Sequence, residues 1–350
     1  MTYAIHPFTL HNPSSVDEAM ALVRQHPGAL YVAGGTDMVV NLRKRIREPE
    51  HLINLKSVAE LRGIQATPSH LVIGAGTTMV ELSGHAEVKA RIPMLAEAAG
   101  LVAGPTIRQM ATVGGNLVLD TRCRYYNQSH FWRKANDFCL KKEGSVCHVA
   151  PGGSFCWAAF SADTPPVFLV LNAELELAGP NGTRTVPLRD FYGKDGRWTL
   201  GEEAEHVQPG GLAPGELIVR VRVPWPASAW QGVYEKLRVR DSIDYPLVGV
   251  ALAVRWSNQG RRMDDLQLAL TAVNPRPELV KGTDALVGTE LGIETLESLK
   301  ALANKAGKPM RTTVADPAYR RAMIGALVEK AAARLAPHLQ AVLQQRAQWA

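Results

Sequence analysis

Residues 27–47 read PGALYVAGGTDMVVNLRKRIR. The apolar run from Ala29 to Ala33 predicts a strand, the Gly34–Gly35 pair a turn, and a helix opens near Thr36 and Asp37, both acceptable N-cap residues. Val39, Leu42 and Ile46 fall on one face of that helix. Arg43, Lys44, Arg45 and Arg47 fan out on the other, which reads as a solvated face. Glycine lets backbone N–H groups converge on an anion and lets main chain approach a ligand closely. A helix N-terminus behind such a turn adds a dipole that suits a pyrophosphate. A second double glycine, ATVGGN at residues 111–116, is flanked by the hydrogen-bonding side chains of Thr112 and Asn116. Tight hairpins also use Gly-Gly, so neither pair alone decides between a ligand loop and a plain turn.

Outward from these loops the chain alternates strands and helices. A strand is expected at His51 to Leu55, a hairpin after it, and another strand at Leu71 to Gly76; helices are expected at Met79 to His85 and Met94 to Val102. Pro166 to Ala173 is an apolar run of strand size, and the VFLVLNAELELAG segment around it, alternating towards Leu177, predicts a half-buried strand. GPNG and TRTVPL complete a hairpin. Glu216 to Val223, Gly232 to Arg238, Val248 to Trp256 and Leu266 to Val273 read as strands. Pro317 to Gln348 reads as a helix with Ala322, Leu327, Ala331 and Leu335 on its apolar stripe, broken at Pro337. The WPASAW stretch marks a boundary at Trp225 to Ala229. The expectation is an α+β protein with a larger domain at residues 1–224 and a smaller one at residues 230–350.

Composition narrows the function. The 350 residues carry 39 Lys+Arg against 33 Asp+Glu, a net charge of +6, too modest an excess for this length to argue for nucleic acid. No zinc-finger, helix-turn-helix or aromatic-basic stacking pattern accompanies it. No apolar run reaches membrane-spanning length, and the N-terminal sequence lacks the layout of a secretory signal, so a cytoplasmic protein is expected. No GxGxxG, Walker loop, nucleophile elbow or acid-base pair is present, so no catalytic residue is assigned.

Four cysteines, Cys123, Cys139, Cys147 and Cys156, lie in one irregular segment with the spacing C-x15-C-x7-C-x8-C. An aperiodic segment of that length is uncommon unless functional or tied down. Disulfides are disfavoured without a sign of export. Structural zinc usually shows C-x2-4-C pairs, absent here. Spacing favours a [4Fe–4S] cluster over zinc while leaving both open.

In order along the chain, AGGTDMVVNLRK, IGAGTTMVEL, IRQMATVGGNLV, SADTPPVFLVLNAELEL, YEKLRVRDSIDYPLVGVALAV and AYRRAMIGALVEKA resemble the FAD-binding subunits of the molybdenum hydroxylase (xanthine dehydrogenase) family. The resemblance covers nearly the whole chain. It implies a vanillyl-alcohol-oxidase-type (PCMH) FAD-binding domain of two subdomains, then a smaller C-terminal domain like that of CO dehydrogenase flavoproteins. It further implies that Tyr31, Val32, Ala33, Gly34, Gly35, Thr36, Asp37 and Met38 wrap the FAD pyrophosphate. Thr112, Val113, Gly114, Gly115 and Asn116 form a second flavin loop, and Val102 packs beside the cofactor. Asp163 binds flavin hydroxyls, in place of the surface turn cap it would otherwise suggest. Lys236 lies near the isoalloxazine ring, where a cation stabilises reduced flavin. Ile218, otherwise a core strand residue, is placed against the ring.

The segment DTRCRYYNQSHFWRKANDFCLKKEGSVCHVAPGGSFC is an insertion relative to most such subunits. Its DTRC-x-x-YNQS opening, C-L-K middle and GxxCHV segment resemble the insertion of 4-hydroxybenzoyl-CoA reductase β subunits. That resemblance implies that all four cysteines ligate a [4Fe–4S] cluster. Arg122, Arg124, Lys141 and Lys142 would then offset its negative charge, and His148 is read as a polar loop residue able to donate to sulfur. The implied protein is an electron-transfer subunit in a dimer of heterotrimers, beside a molybdenum-cofactor large subunit and a [2Fe–2S] small subunit. A ferredoxin-like donor would supply electrons by way of the cluster and FAD for reductive dehydroxylation of an aromatic CoA thioester. An oxidative molybdenum hydroxylase or aldehyde oxidoreductase, delivering electrons to NAD or another acceptor, and a zinc-stabilised interaction module are the alternatives.

Overall fold

A computed structural model describes residues 4–196, 211–225, 230–257, 262–340 and 343. Three sheets organise the described residues. β1 (Thr9–His11), β2 (Leu30–Val32) and β3 (His51–Asn54) form a small parallel sheet in the order β1-β3-β2. β4 (Ile64–Ala66), β5 (His70–Gly74), β6 (Glu174–Gly179), β7 (Gly182–Pro187) and β8 (Leu217–Pro224) form an antiparallel sheet in the order β4-β5-β8-β6-β7. β9 (Gln231–Leu237), β10 (Val248–Trp256), β11 (Met263–Thr271) and β12 (Glu278–Leu279) form the third, antiparallel in the order β12-β11-β10-β9. The expected α+β class is what the chain adopts.

β10 shows how the third sheet joins the rest. Its sequence, VGVALAVRW, puts Val248, Val250, Leu252 and Val254 on one face and Gly249, Ala251 and Ala253 on the other. The large residues pack with Leu296, Leu299, Ile324 and Val328 of helices Ile293–Ala306 and Pro317–Leu335. The small face lets the helix Thr164–Val170 approach β10, while Pro93–Gly100 packs on the neighbouring β9, so Ala251 and Ala253 share a core with Leu95 and Phe168. A strand buried on both faces reads as a continuous apolar run.

Several expectations need correction. The Pro166 to Ala173 run is a helix, Thr164–Val170, every residue of it buried. Periodicity cannot separate strand from helix in a short apolar run, and Pro165 and Pro166 sit in its first turn, where proline is tolerated. The strand begins only at Glu174. The helix after the first glycine pair spans Met38–Arg43 and stops short of Arg47; Val39 is 39% exposed while Leu42 and Ile46 are buried. Its basic end is partly engaged, because Lys44 Nζ donates to the Asn127 carbonyl at 2.7 Å. Ala322 faces solvent, and the buried stripe of Pro317–Leu335 runs through Ile324, Leu327, Val328, Ala331 and Ala332. The helix ends at Leu335, just before Pro337. Pro226 to Ala229 of the boundary, and 341, 342 and 344–348 of the last helical region, lie outside the described residues. No described helix is long and apolar enough to cross a membrane.

Arg320 is wholly buried in the third sheet's core. It donates to the carbonyls of Leu247 at 3.0 Å, Met310 at 2.9 Å and Ala272. Burial pulls its pKa down to about 10, so it stays charged at neutral pH. Replacing it with Met strands those acceptors; Arg320→Met is expected to lower unfolding stability by about 3 kcal/mol. An unchanged denaturation midpoint in urea would show that the carbonyls find other donors.

Candidate functional site

The first glycine loop is shaped by the second. A Cβ on Gly34 would lie 1.7 Å from the Met110 carbonyl oxygen, so the two segments touch backbone to backbone and only glycine fits. Gly35 has φ +71°, in the left-handed region. Among the described residues the amides of 33–37 donate to no backbone carbonyl, which leaves a cluster of free N–H groups at this turn, as a pyrophosphate requires. Asp37 does not cap the helix. Its carboxylate instead accepts from Asn41 Nδ2 at 2.9 Å and pairs with Arg122 at 3.3 Å, and burial raises its pKa. Tyr31 is tied to the second sheet, its hydroxyl donating to the Gly215 carbonyl at 3.0 Å.

The second loop forms the short helix Val113–Leu117, with Thr112 Oγ1 accepting from Gly115 at 3.2 Å. Its amides are largely committed: Val113 donates to Thr77 and Gly114 to Ala75. It therefore offers shape and side chains more than an amide nest. Asn116 Oδ1 accepts both the amide and the hydroxyl of Thr164, at 3.2 and 2.7 Å, tying the loop to the residue after Asp163.

Asp163 is 3% exposed, so the turn-cap alternative falls away. Its carboxylate accepts from the Tyr234 hydroxyl at 2.8 Å and from Lys236 Nζ at 3.0 Å. Lys236 also donates to the carbonyls of Leu101 at 2.8 Å and Asp244 at 2.9 Å, which uses all three ammonium protons. Burial pushes the Asp163 carboxyl up, with Lys236 pulling against it. Val102 follows Leu101 and is 7% exposed, just beyond the helix Pro93–Gly100. The residues expected around a flavin thus form one contiguous group held from both sides of the domain boundary. Ile218 is buried in the core of β8.

The cysteine segment folds as an insertion with a closed base. Arg122 and Ala159 exchange two backbone hydrogen bonds, at 2.7 and 2.8 Å. All four cysteines are unpaired and line one cavity with Tyr125, Tyr126, Leu140, Lys141, His148, Val149 and Ala158. A single tetrahedral zinc with Zn–S of about 2.3 Å needs S···S separations of about 3.8 Å. A cubane sets its thiolates further apart, because each binds a different iron. Four free thiols on one cavity are a donor set that suits a metal centre, whether a cluster or a single ion.

Backbone strain concentrates at the second cysteine of the segment. Asp137 and Phe138, just before Cys139, and Glu143, just after the turn, have φ of +54°, +57° and +66°. Gly144 lies where a Cβ would come within 2.6 Å of the Cys139 nitrogen. Such strain persists only where the surroundings enforce it, and it gathers at functional sites. Burial pushes the Cys156 thiol up to about 11 and the Cys123 thiol upward as well; metal binding would displace those protons.

Of the four basic residues expected near a cluster, Lys141 lines the cavity, where it bonds Asp120 and Thr121. Burial raises the Asp120 pKa, but Lys141, Arg47 and the Tyr126 hydroxyl outweigh it and hold the carboxylate below its ordinary range. Arg122 points instead to Asp37 and stacks on Tyr245 at 4.0 Å, Lys142 pairs with Glu143 at 2.9 Å, and Arg124 lies over Tyr125 at 5.8 Å. His148 bonds the Phe138 carbonyl, not a sulfur. Sequence reasoning missed Arg133, which is 1% exposed and donates to the Lys44 and Arg45 carbonyls while its Nε and Nη1 find no acceptor. Its charge faces the Phe138 ring at 5.9 Å and, behind the Lys142 hydrogen bond, helps hold the Glu143 carboxylate below its ordinary range. It also missed Asp120 and Tyr245, although the position of Asp120 three residues before the first cysteine was a usable signal.

Comparison with known proteins follows the same outline. Residues 6–226 match the family model described as the FAD binding domain in molybdopterin dehydrogenase, and residues 233–335 the CO dehydrogenase flavoprotein C-terminal domain. The carbon monoxide dehydrogenase medium chain of Hydrogenophaga pseudoflava is 32% identical over 326 residues, 93% of this chain and 95% of that one. The aldehyde oxidoreductase FAD-binding subunit of Escherichia coli (strain K12) is 32% identical over 285 residues, 79% of this chain and 85% of that one. A solved carbon monoxide dehydrogenase structure from Hydrogenophaga pseudoflava matches with a TM-score of 0.74 at 30% identity, covering 94% of this chain and 96% of that chain.

Two outcomes are expected from these geometries. Gly35→Val forces a β-branched residue to positive φ against Val39 and should lower FAD per chain, measured by absorbance of the released cofactor; full occupancy would clear this loop of a pyrophosphate role. Lys236→Met leaves Asp163 buried without its cation and should cost about 3–5 kcal/mol in denaturant unfolding. Adding Asp163→Asn should restore part of the loss, and a strictly additive double variant would refute the coupling.

Proposed function

The chain belongs to the FAD-binding subunits of the molybdenum hydroxylase family, and on that premise we propose that it is an electron-transfer subunit holding a [4Fe–4S] cluster as well as FAD. It is the flavin subunit of an oxidoreductase whose substrate chemistry lies on another subunit. The observation that carries the cluster is the convergence of four free thiols on one cavity, in a segment closed by the Arg122–Ala159 bridge. When bound, FAD exchanges electrons singly or in pairs and the cluster exchanges them singly.

The chain's own residues then hold, orient and set charge. We assign Tyr31 to Met38 to the pyrophosphate, Thr112 to Asn116 and Val102 to the flavin's flank, and Asp163 with Lys236 to its polar edge. Cys123, Cys139, Cys147 and Cys156 are the cluster ligands. Lys141 places positive charge beside them, which favours the more reduced, more negative state. Residues 1–224 form the flavin domain and residues 230–350 the second domain.

The finer reading follows the insertion: a 4-hydroxybenzoyl-CoA reductase-like subunit, working with a molybdenum-cofactor large subunit, a [2Fe–2S] small subunit and a ferredoxin-like donor on an aromatic CoA thioester. A second reading is favoured by the relatives, which are named for carbon monoxide dehydrogenase and aldehyde oxidoreductase; there electrons leave the substrate for NAD or another acceptor. Reduction of the purified complex by a low-potential ferredoxin, against reduction by an aldehyde, separates the two.

Cys139→Ser should lose iron and acid-labile sulfide while keeping FAD, since the insertion lies outside the flavin cradle. Anaerobic purification, metal and sulfide analysis and EPR of the dithionite-reduced protein measure this. A full four-iron complement in the variant would refute the ligand assignment.

A further inference from the structure

Three histidines meet at the edge of the small parallel sheet, far along the chain from the cysteines. His11 ends β1, His26 caps the C-terminus of the helix Val16–Gln25, and His51 opens β3. Thr9 pairs with His51 across the sheet, so the period of two along β1 puts His11 on the same face as His51. His26 is delivered to that face by its cap: its amide donates to the Leu22 carbonyl at 2.9 Å, and its carbonyl accepts from Ala29 at 3.0 Å across the Pro27–Gly28 turn. His11 Nε2 and His51 Nδ1 are 3.0 Å apart. The rings of His26 and His51 stack at 4.0 Å and those of His11 and His26 at 4.7 Å. One nitrogen from each ring lies within 4.8 Å of both others, and all three residues are partly open to solvent.

We propose that His11, His26 and His51 form a three-histidine site for a divalent cation of the zinc class. Neutral imidazole is a preferred donor for zinc, and for nickel and cobalt. Zn–N bonds of about 2.0–2.1 Å require N···N separations of about 3.3 Å in a tetrahedral site. The His11–His51 pair is already within a few tenths of an ångström of that edge; the His26 nitrogen lies within 4.8 Å of both, and metal binding would require its ring to turn out of the stack to aim its lone pair at the ion. Three protein ligands leave the fourth position to water. The ligands come from two strands and a helix end, not from a free loop, so the donor positions are built into the fold. A bound cation would join β1, β3 and the helix end. β3 pairs with β2, whose Tyr31 and Val32 lead into the first glycine loop, so the clamp would brace the sheet that presents that loop.

The test uses the full chain with its cofactors in place, treated with EDTA and then titrated calorimetrically with Zn²⁺. The wild type should bind one equivalent more than either His51→Gln or His26→Gln, and zinc should raise its melting temperature, with no rise in the variants. Zinc taken up by cysteines is common to all three proteins and cancels in the difference. FAD content and the zinc-free melting temperature of the variants check that they fold. EPR of wild-type protein loaded with one equivalent of Cu²⁺ should show coupling to imidazole nitrogens. Superimposable zinc isotherms for the wild type and both variants would overturn the proposal.

Discussion

Two backbone hydrogen bonds between Arg122 and Ala159 close the base of the cysteine insertion, and the arrangement of the site depends on that closure. Bringing together the ends of a loop of this length costs about 3 kcal/mol of chain entropy. The bridge offsets it and fixes where the insertion begins, so Cys123 and Cys156 start from defined places. Arg122 then does more than close a loop. Its guanidinium pairs with Asp37 in the first glycine turn and stacks on Tyr245 from the C-terminal part of the chain. One side chain thereby touches the cysteine segment's base, the first glycine loop and the C-terminal part of the chain.

The rest of the insertion is held down by carbonyl–guanidinium and lysine contacts to the helix Met38–Arg43 and the residues after it. Arg133 reaches the Lys44 and Arg45 carbonyls, Lys44 reaches Asn127, and Ile46 packs with Cys123, Tyr126 and Cys139. A basic segment that reads as solvated surface is therefore the platform on which the cysteine segment sits. Positive charge and exposed backbone carbonyls at a helix C-terminus explain why: the carbonyls need donors, and the insertion supplies them.

Electrostatics across the domain boundary follow a similar economy. The Asp163–Lys236 pair is buried, and a buried pair contributes little net stability unless every remaining donor and acceptor is satisfied. Here the Leu101 and Asp244 carbonyls and the Tyr234 hydroxyl complete the set. The pair specifies how β9 meets the helix ending at Gly100, and so where the residues proposed around the flavin stand.

Strong local signals determined much of this in advance. The Gly34–Gly35 turn, the hairpin of β6 and β7, the uninterrupted apolar strand at Val248 to Trp256 and the break at Pro337 are dictated by residues close in the chain, and the sequence alone was enough to place them. The confinement of four cysteines to one aperiodic segment also foretold that they gather, and they line one cavity. What the sequence could not decide were the features set by residues far apart. Thr164 to Val170 is a helix because it is buried on every side, which erases the period that separates strand from helix. Asp163 and Lys236 neutralise each other, Asp37 turns from a cap to a pair, and Arg133 is buried, because each partner arrives from a distant segment. Only tertiary packing brings such groups within hydrogen-bonding range, and for charged and polar side chains that range decides their role.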